Sequence, residues 1–218
     1  MREGSSSRAE LRAPWEAEYA GPHPVWRGPG ELEPGLPEAG LVLELGCGNG
    51  KTLSALAARE RTIVGLDFSR NAVAACRRFQ NEMPDLMLVQ ADMADLPFND
   101  DCFDLVLCYH VLDHARAQLR RSAAHEIVRV TKPEGTISFR GFSTIDLRFG
   151  KGVEVEPRTF SRGKGLIYHY FEEDEVKGLF IGTELRAFER RSRPKRFHGE
   201  RVERAEIAAA FVKRRGEA

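Results

Sequence analysis

From Leu41 onward, short apolar runs alternate with longer stretches whose apolar residues recur every three or four positions. Short runs buried on both faces read as strands of a parallel sheet, and the amphipathic stretches between them read as crossover helices. Leu41 to Leu45, Thr62 to Leu66, Leu86 to Gln90, Phe103 to Cys108 and Thr136 to Phe139 are the five strands predicted in this way. Ser69 is placed to cap a helix whose apolar face is Ala72, Cys76, Phe79 and Met83, ending before Pro84. Leu119, Ala123, Ile127 and Val130 make another stripe, closed by the turn Lys132-Pro133-Glu134-Gly135. A helix from about Glu172 to Phe180 and two final strands, Glu184 to Arg191 and Val202 to Lys213, complete the pattern. The expected fold is α/β and doubly wound, a mostly parallel sheet with helices on both faces. Ahead of it, Leu11, Trp15 and Tyr19 have helical spacing and precede a Pro/Gly-punctuated segment from Gly21 to Pro37. Residues 1–40 are therefore read as a short helix and loop, and 41–218 as the domain.

Composition narrows the class of protein. With 218 residues, 42% of them hydrophobic, the chain can bury one sizeable core. Lys plus Arg and Asp plus Glu are both 33, so no overall field draws the chain to nucleic acid or membrane. Cys47, Cys76, Cys102 and Cys108 show no CxxC pairing and sit in or beside apolar segments, as expected in a reducing cytoplasm. No apolar run approaches the roughly 18 residues of a membrane span, and the first eleven residues lack a signal peptide's apolar stretch. A soluble, cytoplasmic protein is expected.

The chemistry concentrates after the first strand, in Glu44-Leu45-Gly46-Cys47-Gly48-Asn49-Gly50. Glycines there permit a tight turn and close approach of a ligand, while a helix starting near Lys51 offers free N–H groups. A dinucleotide fingerprint would need glycine where Lys51 stands. A P-loop ending in Gly50-Lys51-Thr52 would need glycine at 45, where Leu45 stands, and the fourth strand has no terminal Asp for magnesium. The segment instead resembles the first motif of the class I S-adenosylmethionine-dependent methyltransferases. An acidic strand end at Glu44 and close-packed Gly46, Cys47, Gly48 and Gly50 suit a cofactor with a sulfonium and an amino-acid end.

Further segments occur in that family's order. Asp67 ends the second strand 21 positions after Gly46, close to the spacing at which an acid accepts hydrogen bonds from a ribose diol. With Phe68 and Ser69 it resembles the second motif. Gln90 to Phe98 is similar to the segment whose acid binds the adenine amino group, which implies that role for Asp92 rather than Asp95, with Met93 beside the ring. Phe103 to His114 resembles the fourth strand and the entrance to the active site, placing Cys108 and Tyr109 against the cofactor, and His125 to Thr136 resembles the helix, turn and strand that follow. The resemblance spans residues 41–140 and implies a Rossmann-like, seven-stranded, mostly parallel sheet with an antiparallel final strand. It also implies S-adenosyl-L-methionine as cofactor and S-adenosyl-L-homocysteine as product.

Methyl transfer from a sulfonium is an in-line displacement in which positioning and desolvation supply much of the catalysis. A weakly acidic substrate still needs a base, and Tyr109, His110 and His114 lie where the fourth strand opens into the ligand crevice. The four-residue spacing of the two histidines also occurs in metal sites, but no neighbouring Cys or Glu trio supports one, and no metal is expected. The strand lacks the Asn/Asp-Pro-Pro-aromatic tetrad of amide and exocyclic-amine methyltransferases. Phe142 to Phe171 is an insertion too long for an ordinary loop, and it ends in Tyr168-His169-Tyr170-Phe171. That cluster reads either as a lid with catalytic His169 and Tyr170 over a small-molecule substrate, or as packing beneath the sheet edge. Trp15, Tyr19 and Trp26 are similar to the N-terminal segment with which small-molecule methyltransferases cover the cofactor, and Trp26 is counted among its contacts.

The expected function is methyl transfer to a small-molecule nucleophile. Two alternatives stand beside it. Residues 186 to 215 hold eleven Lys or Arg against four Glu, which suits an RNA methyltransferase, although the same charges read as the solvated face of two edge strands. A non-catalytic binding module is the other, opposed by the intact acids at 44, 67 and 92.

Overall fold

The computed structural model describes residues 12–21, 25, 26, 28–57, 61–197 and 200–216, and their side chains outside 195–202. Leu11 lies outside these residues, but 12–19 form the expected N-terminal helix, α1. The domain then runs β1 (Gly40–Leu45), α2 (Lys51–Leu56), β2 (Arg61–Asp67), α3 (Arg70–Cys76), β3 (Met87–Gln90), β4 (Phe103–Tyr109), α4 (Ala117–Val130) and β5 (Thr131–Phe142). The insertion is a small antiparallel sheet of β6 (Val153–Glu156), β7 (Thr159–Arg162) and β8 (Leu166–His169). After α5 (Glu173–Lys177) come β9 (Thr183–Phe197) and β10 (Glu200–Lys213).

The main sheet has the order β3-β2-β1-β4-β5-β10-β9. Strands β1 to β5 are parallel, and β10 is antiparallel to both its neighbours. Alternation along the strands explains the two helical layers. Val42, Leu105 and Leu107 pack with Leu53, Ile63 and Cys76 on one face. Leu43, Leu45, Val106 and Cys108 pack with Ala123, Ile127 and Val130 on the other. Each fully buried Leu or Val among them contributes roughly 1.5–3 kcal/mol of transfer free energy. From β1 the chain winds outward to β2 and β3, then crosses to β4 and β5 on the other side. The crevice at the carboxyl ends of β1 and β4 is thus the topological switch point where such sheets bind ligands.

Several elements differ from expectation. β5 begins at Thr131 rather than Thr136, and the Lys132–Gly135 turn is a bulge within it, where the register passes from Phe103↔Thr131 to Leu105↔Thr136. Glu134 takes up the excursion with φ 63. Ser69 does cap α3, its Oγ accepting the Ala72 N–H at 3.2 Å, but the α-helix tightens to a 3₁₀ turn over Arg77–Asn81. The helix expected from Glu172 to Phe180 is five residues long. β10 lies inside the sheet, so β9 alone of the final pair is an edge strand.

Candidate active site

A cavity of about 440 Å³ opens at the switch point, between the ends of β1, β2 and β4 and the final strands. Gly46 and Cys47 line it where β1 turns into α2. Gly48 and Gly50 stand behind the cavity wall, a correction to their reading as ligand contacts. Both have left-handed φ, 54 and 82. A Cβ on Gly48 would strike the Tyr19 hydroxyl, and one on Gly50 would enter the Phe79 ring. Their glycines are required by neighbouring side chains.

Three acids line this end: Glu44, Asp67 and Asp92, with Phe68 and Met93 beside them. Asp67 is buried, its Oδ2 accepting the Gly48 N–H at 3.0 Å and its Oδ1 the Ser69 N–H at 2.9 Å. Burial pushes its carboxyl up to about 6 against the lowering effect of those donors. Glu44 is 4% exposed, and its Oε2 is buried with no hydrogen-bond partner among the described residues. Desolvation raises its carboxyl well above the ordinary range. Asp92 Oδ1 accepts the Ala94 N–H at 2.9 Å, fixing the turn that carries Met93.

Trp15, Tyr19 and Trp26 also line the cavity. The Trp26 indole donates to the Tyr19 hydroxyl at 3.1 Å, and its backbone exchanges two hydrogen bonds with the Asn49 side chain. The Glu16 carboxylate fastens α1 to the start of α3, accepting from Ser69 Oγ, Arg70 N–H and Asn71 N–H at 2.8, 2.8 and 3.1 Å.

The far end of the cavity holds Tyr109, His110, Val111, His114 and Phe142. The two histidines lie in opposite electrostatic settings. His110 bridges Asp113 Oδ2 at 2.9 Å and Glu206 Oε2 at 3.0 Å, and its ring stacks on Phe142. Burial disfavours its cation, but the two carboxylates outweigh burial and raise its pKa to about 9. His114 Nδ1 meets the Ile167 carbonyl at 2.7 Å, so it carries the proton, and Nε2 is a buried acceptor with no partner among the described residues. Burial holds its pKa below the usual imidazole value, so the ring is neutral at pH 7. The Tyr109 hydroxyl shares a hydrogen bond with Ser138 at 2.9 Å, and burial raises its pKa.

Three expected site residues fall elsewhere. Cys108 is fully buried in the core on the α4 face, because its parity along β4 is opposite to that of Leu107. His169 is fully buried, joined to Thr159 at 2.8 Å and to Glu175 at 3.0 Å. Tyr170 packs with Phe142 and Phe160, its hydroxyl accepting from Arg162 at 2.7 Å. Both tie the insertion to the domain, as the packing alternative had it. Tyr168, of opposite parity to His169 on β8, is the member of that run whose ring meets His114, at 5.1 Å.

The sequence does not reveal Arg140 as a site residue, nor that the arginines of β9 and β10 face the cavity. Arg140, Arg148, Arg191, Arg193 and Arg204 line the cavity together with Asp146 and Glu206. The charges of β9 and β10 therefore include a cavity wall as well as a solvated face. Arg140 lies 4.3 Å from the Tyr109 ring centroid and Arg148 4.2 Å from that of Phe142.

Residues 43–139 match the family model described as a methyltransferase domain. That segment, a little under half of the chain, is a methyltransferase domain. It is 26% identical to a tRNA N(3)-methylcytidine methyltransferase of Drosophila melanogaster, over 79% of this chain and 58% of that protein. With a probable S-adenosylmethionine-dependent methyltransferase of Mycobacterium tuberculosis it shares 29% identity, over 78% of this chain and 61% of that one. The chain thus spans about three-fifths of the length of these relatives. A SAM-dependent methyltransferase structure from Methanosarcina mazei superposes with a TM-score of 0.68 at 20% identity, over 84% of this chain and 99% of that one. The fold shared with that structure thus extends beyond the matched segment. S-adenosylmethionine is the cofactor of this family, and the cavity's donor set fits it. The unpartnered Glu44 Oε2 suits an ammonium group, Asp67 retains lone pairs for hydroxyl donors, and Phe68 and Met93 offer apolar surface to a base.

Proposed function

We propose that this protein transfers a methyl group from S-adenosylmethionine to a small nucleophile, with His114 as general base. One observation carries the reading: a single cavity joins the three acids at one end to the unpartnered Nε2 of His114 at the other. In this reading Glu44, Asp67, Asp92 and Met93 hold the cofactor, whose bound form supplies a methyl group on a cationic sulfur. Trp15, Tyr19 and Trp26, strapped down through Glu16 and Asn49, exclude water from that end.

The chain's own groups divide the remaining work. His114 accepts the proton of an O–H or N–H nucleophile at Nε2, while the Ile167 carbonyl holds Nδ1–H and so fixes the tautomer. His110 is protonated at neutral pH and cannot be a base. It orients Phe142 and neutralises Asp113 and Glu206. Tyr109 donates or accepts a hydrogen bond without ionising. All four cysteines are free thiols, which supports a cytoplasmic setting, and no helix among the described residues is long and apolar enough to cross a membrane.

A second reading has an observation of its own. β10 residues 200–205 pair with β9 residues 192–197 beyond the part that pairs with β5, making a basic hairpin, and several relatives are tRNA methyltransferases. The described arginines in and beside that hairpin are bonded to carboxylates, Arg190 to Glu173, Arg191 to Glu33 and Glu189, Arg193 to Glu31 and Arg204 to Asp146, which leaves less charge for phosphates. That balance favours the small substrate.

Labelled methyl transfer to a panel of small phenols, acids and amines, run beside bulk tRNA, separates the two. Transfer to a small molecule is expected, with His114→Asn lowering kcat about a hundredfold and leaving S-adenosylhomocysteine affinity unchanged. Transfer confined to tRNA, or an undiminished His114→Asn enzyme, would contradict the reading.

A further inference from the structure

The end of the cavity that faces away from the cofactor residues is a charged sheet surface. Along β5, β10 and β9 the register sets Arg140 opposite Ala208, Phe142 opposite Glu206, Glu206 opposite Arg191 and Arg204 opposite Arg193. Because parity along a strand fixes the face, these side chains share one side of the sheet, and all but Ala208 line the cavity. Arg148 reaches the same wall from the insertion, over Phe142.

Carboxylates hold these guanidiniums but do not use them up. Glu33 accepts from Arg140 and Arg191, Glu189 also from Arg191, and Asp146 from Arg148 and Arg204, so three carboxylates serve four cations. Asp146, itself part of the cavity lining, is buried and also accepts the Ala205 N–H at 2.9 Å, so it is fixed in the wall and holds the guanidiniums in place. Among the described residues Arg140 gives only its Nε to Glu33 and Arg204 only its Nε to Asp146. The terminal N–H groups of both remain for an acceptor. A guanidinium preset through Nε, with its outer edge free, binds an oxyanion with little further ordering.

We propose that the methyl acceptor is a small organic anion whose carboxylate or phosphate group is held by Arg140 and Arg204, beside His114. This rests on the methyltransferase reading and deepens it by naming the substrate class. Enclosure favours a small acid over a polymer, since Arg140 is only 9% exposed and lies under the Tyr109 ring rather than on an open face. Phe142, between the His110 ring and the Arg148 guanidinium, gives the acid's carbon frame an apolar floor.

Calorimetric titration of the full chain, alone and loaded with S-adenosylhomocysteine, with benzoate, phenyl phosphate and the neutral isostere benzamide tests this. One or both anions should bind, benzamide should not, and the anion that binds better tells carboxylate from phosphate. Arg204→Gln should weaken anion binding by about tenfold to a hundredfold without changing S-adenosylhomocysteine affinity. Arg204 is chosen because it is the more exposed of the pair, and Asp146 keeps Arg148 and the Ala205 N–H in the variant. Arg140→Gln, read in the same way, supplies a second variant. Equal binding of benzamide and benzoate, no binding of either anion, or anion affinity indifferent to both substitutions would overturn the proposal. So would displacement of bound anion by bulk tRNA at physiological salt, which would give the wall to nucleic-acid phosphates. A wild-type chain that failed to bind S-adenosylhomocysteine would overturn the underlying reading instead, a result visible in a separate titration.

Discussion

Asp67 shows how one residue couples the fold to its ligand. Its two oxygens anchor the backbone on either side of the crevice, and burial raises its pKa to about 6 from an ordinary 3.8. A raised carboxyl pKa means that ionisation opposes the free fold, so the apo protein loses stability as pH rises from about 4 through 6. A ribose diol donates to the carboxylate, so ligand affinity should move the other way. S-adenosylhomocysteine affinity is expected to fall by up to about tenfold per pH unit below 6, and Asp67→Asn should erase that step. Identical pH profiles for the two proteins would show that the carboxylate does not contact the ligand. Gly50 makes the complementary point about packing: with φ 82 and the Phe79 ring where a Cβ would stand, Gly50→Ala should cost on the order of 2 kcal/mol in denaturant unfolding. An unchanged midpoint would refute the close packing. The acids were legible in the sequence because they stand at strand ends. Cys108 and His169 fall elsewhere because strand parity turns their side chains into the packed interior, and Tyr170, beyond the end of β8, packs with Phe142 and Phe160.

At the scale of elements, α1 is attached rather than integral. It is tied to α3 by Glu16, whose carboxylate accepts three donors at that helix's first turn, where N–H groups lack intrahelical partners, and whose carbonyl accepts from Asn71 Nδ2 at 2.9 Å. Glu16→Ala should leave the sheet's amide protection unchanged, speed hydrogen exchange in residues 12–26, and raise the dissociation rate of S-adenosylhomocysteine several-fold. Exchange and dissociation both at wild-type rates would remove the strap from the cofactor end. The role of β9 and β10 was hidden for a different reason. Their charges alternate with other residues along two strands, and only the antiparallel register, invisible in the sequence, reveals that Arg140, Arg191 and Arg204 meet on one face. Summed over the chain, equal numbers of acids and bases conceal this local wall.

For the molecule as a whole, the fold was legible because its strands are buried on both sides and read as continuous apolar runs, and because the sheet order places the glycine turn at the switch point. The three-stranded sheet within residues 142–171 was not legible, since Gly and charged residues interrupt the alternation between Val153 and His169. In the proposed function one cavity binds S-adenosylmethionine through strand-end acids and delivers its methyl group to a nucleophile at the histidine end. Isothermal titration of S-adenosylhomocysteine into the wild type, Asp67→Ala and Asp92→Ala tests its first half most directly. One site per chain is expected, with Asp67→Ala weakening it more than Asp92→Ala, because a carboxylate serving two hydroxyls makes two charge-assisted hydrogen bonds. No binding to the wild type, or equal wild-type-like affinity in both variants, would contradict the assignment of the cavity.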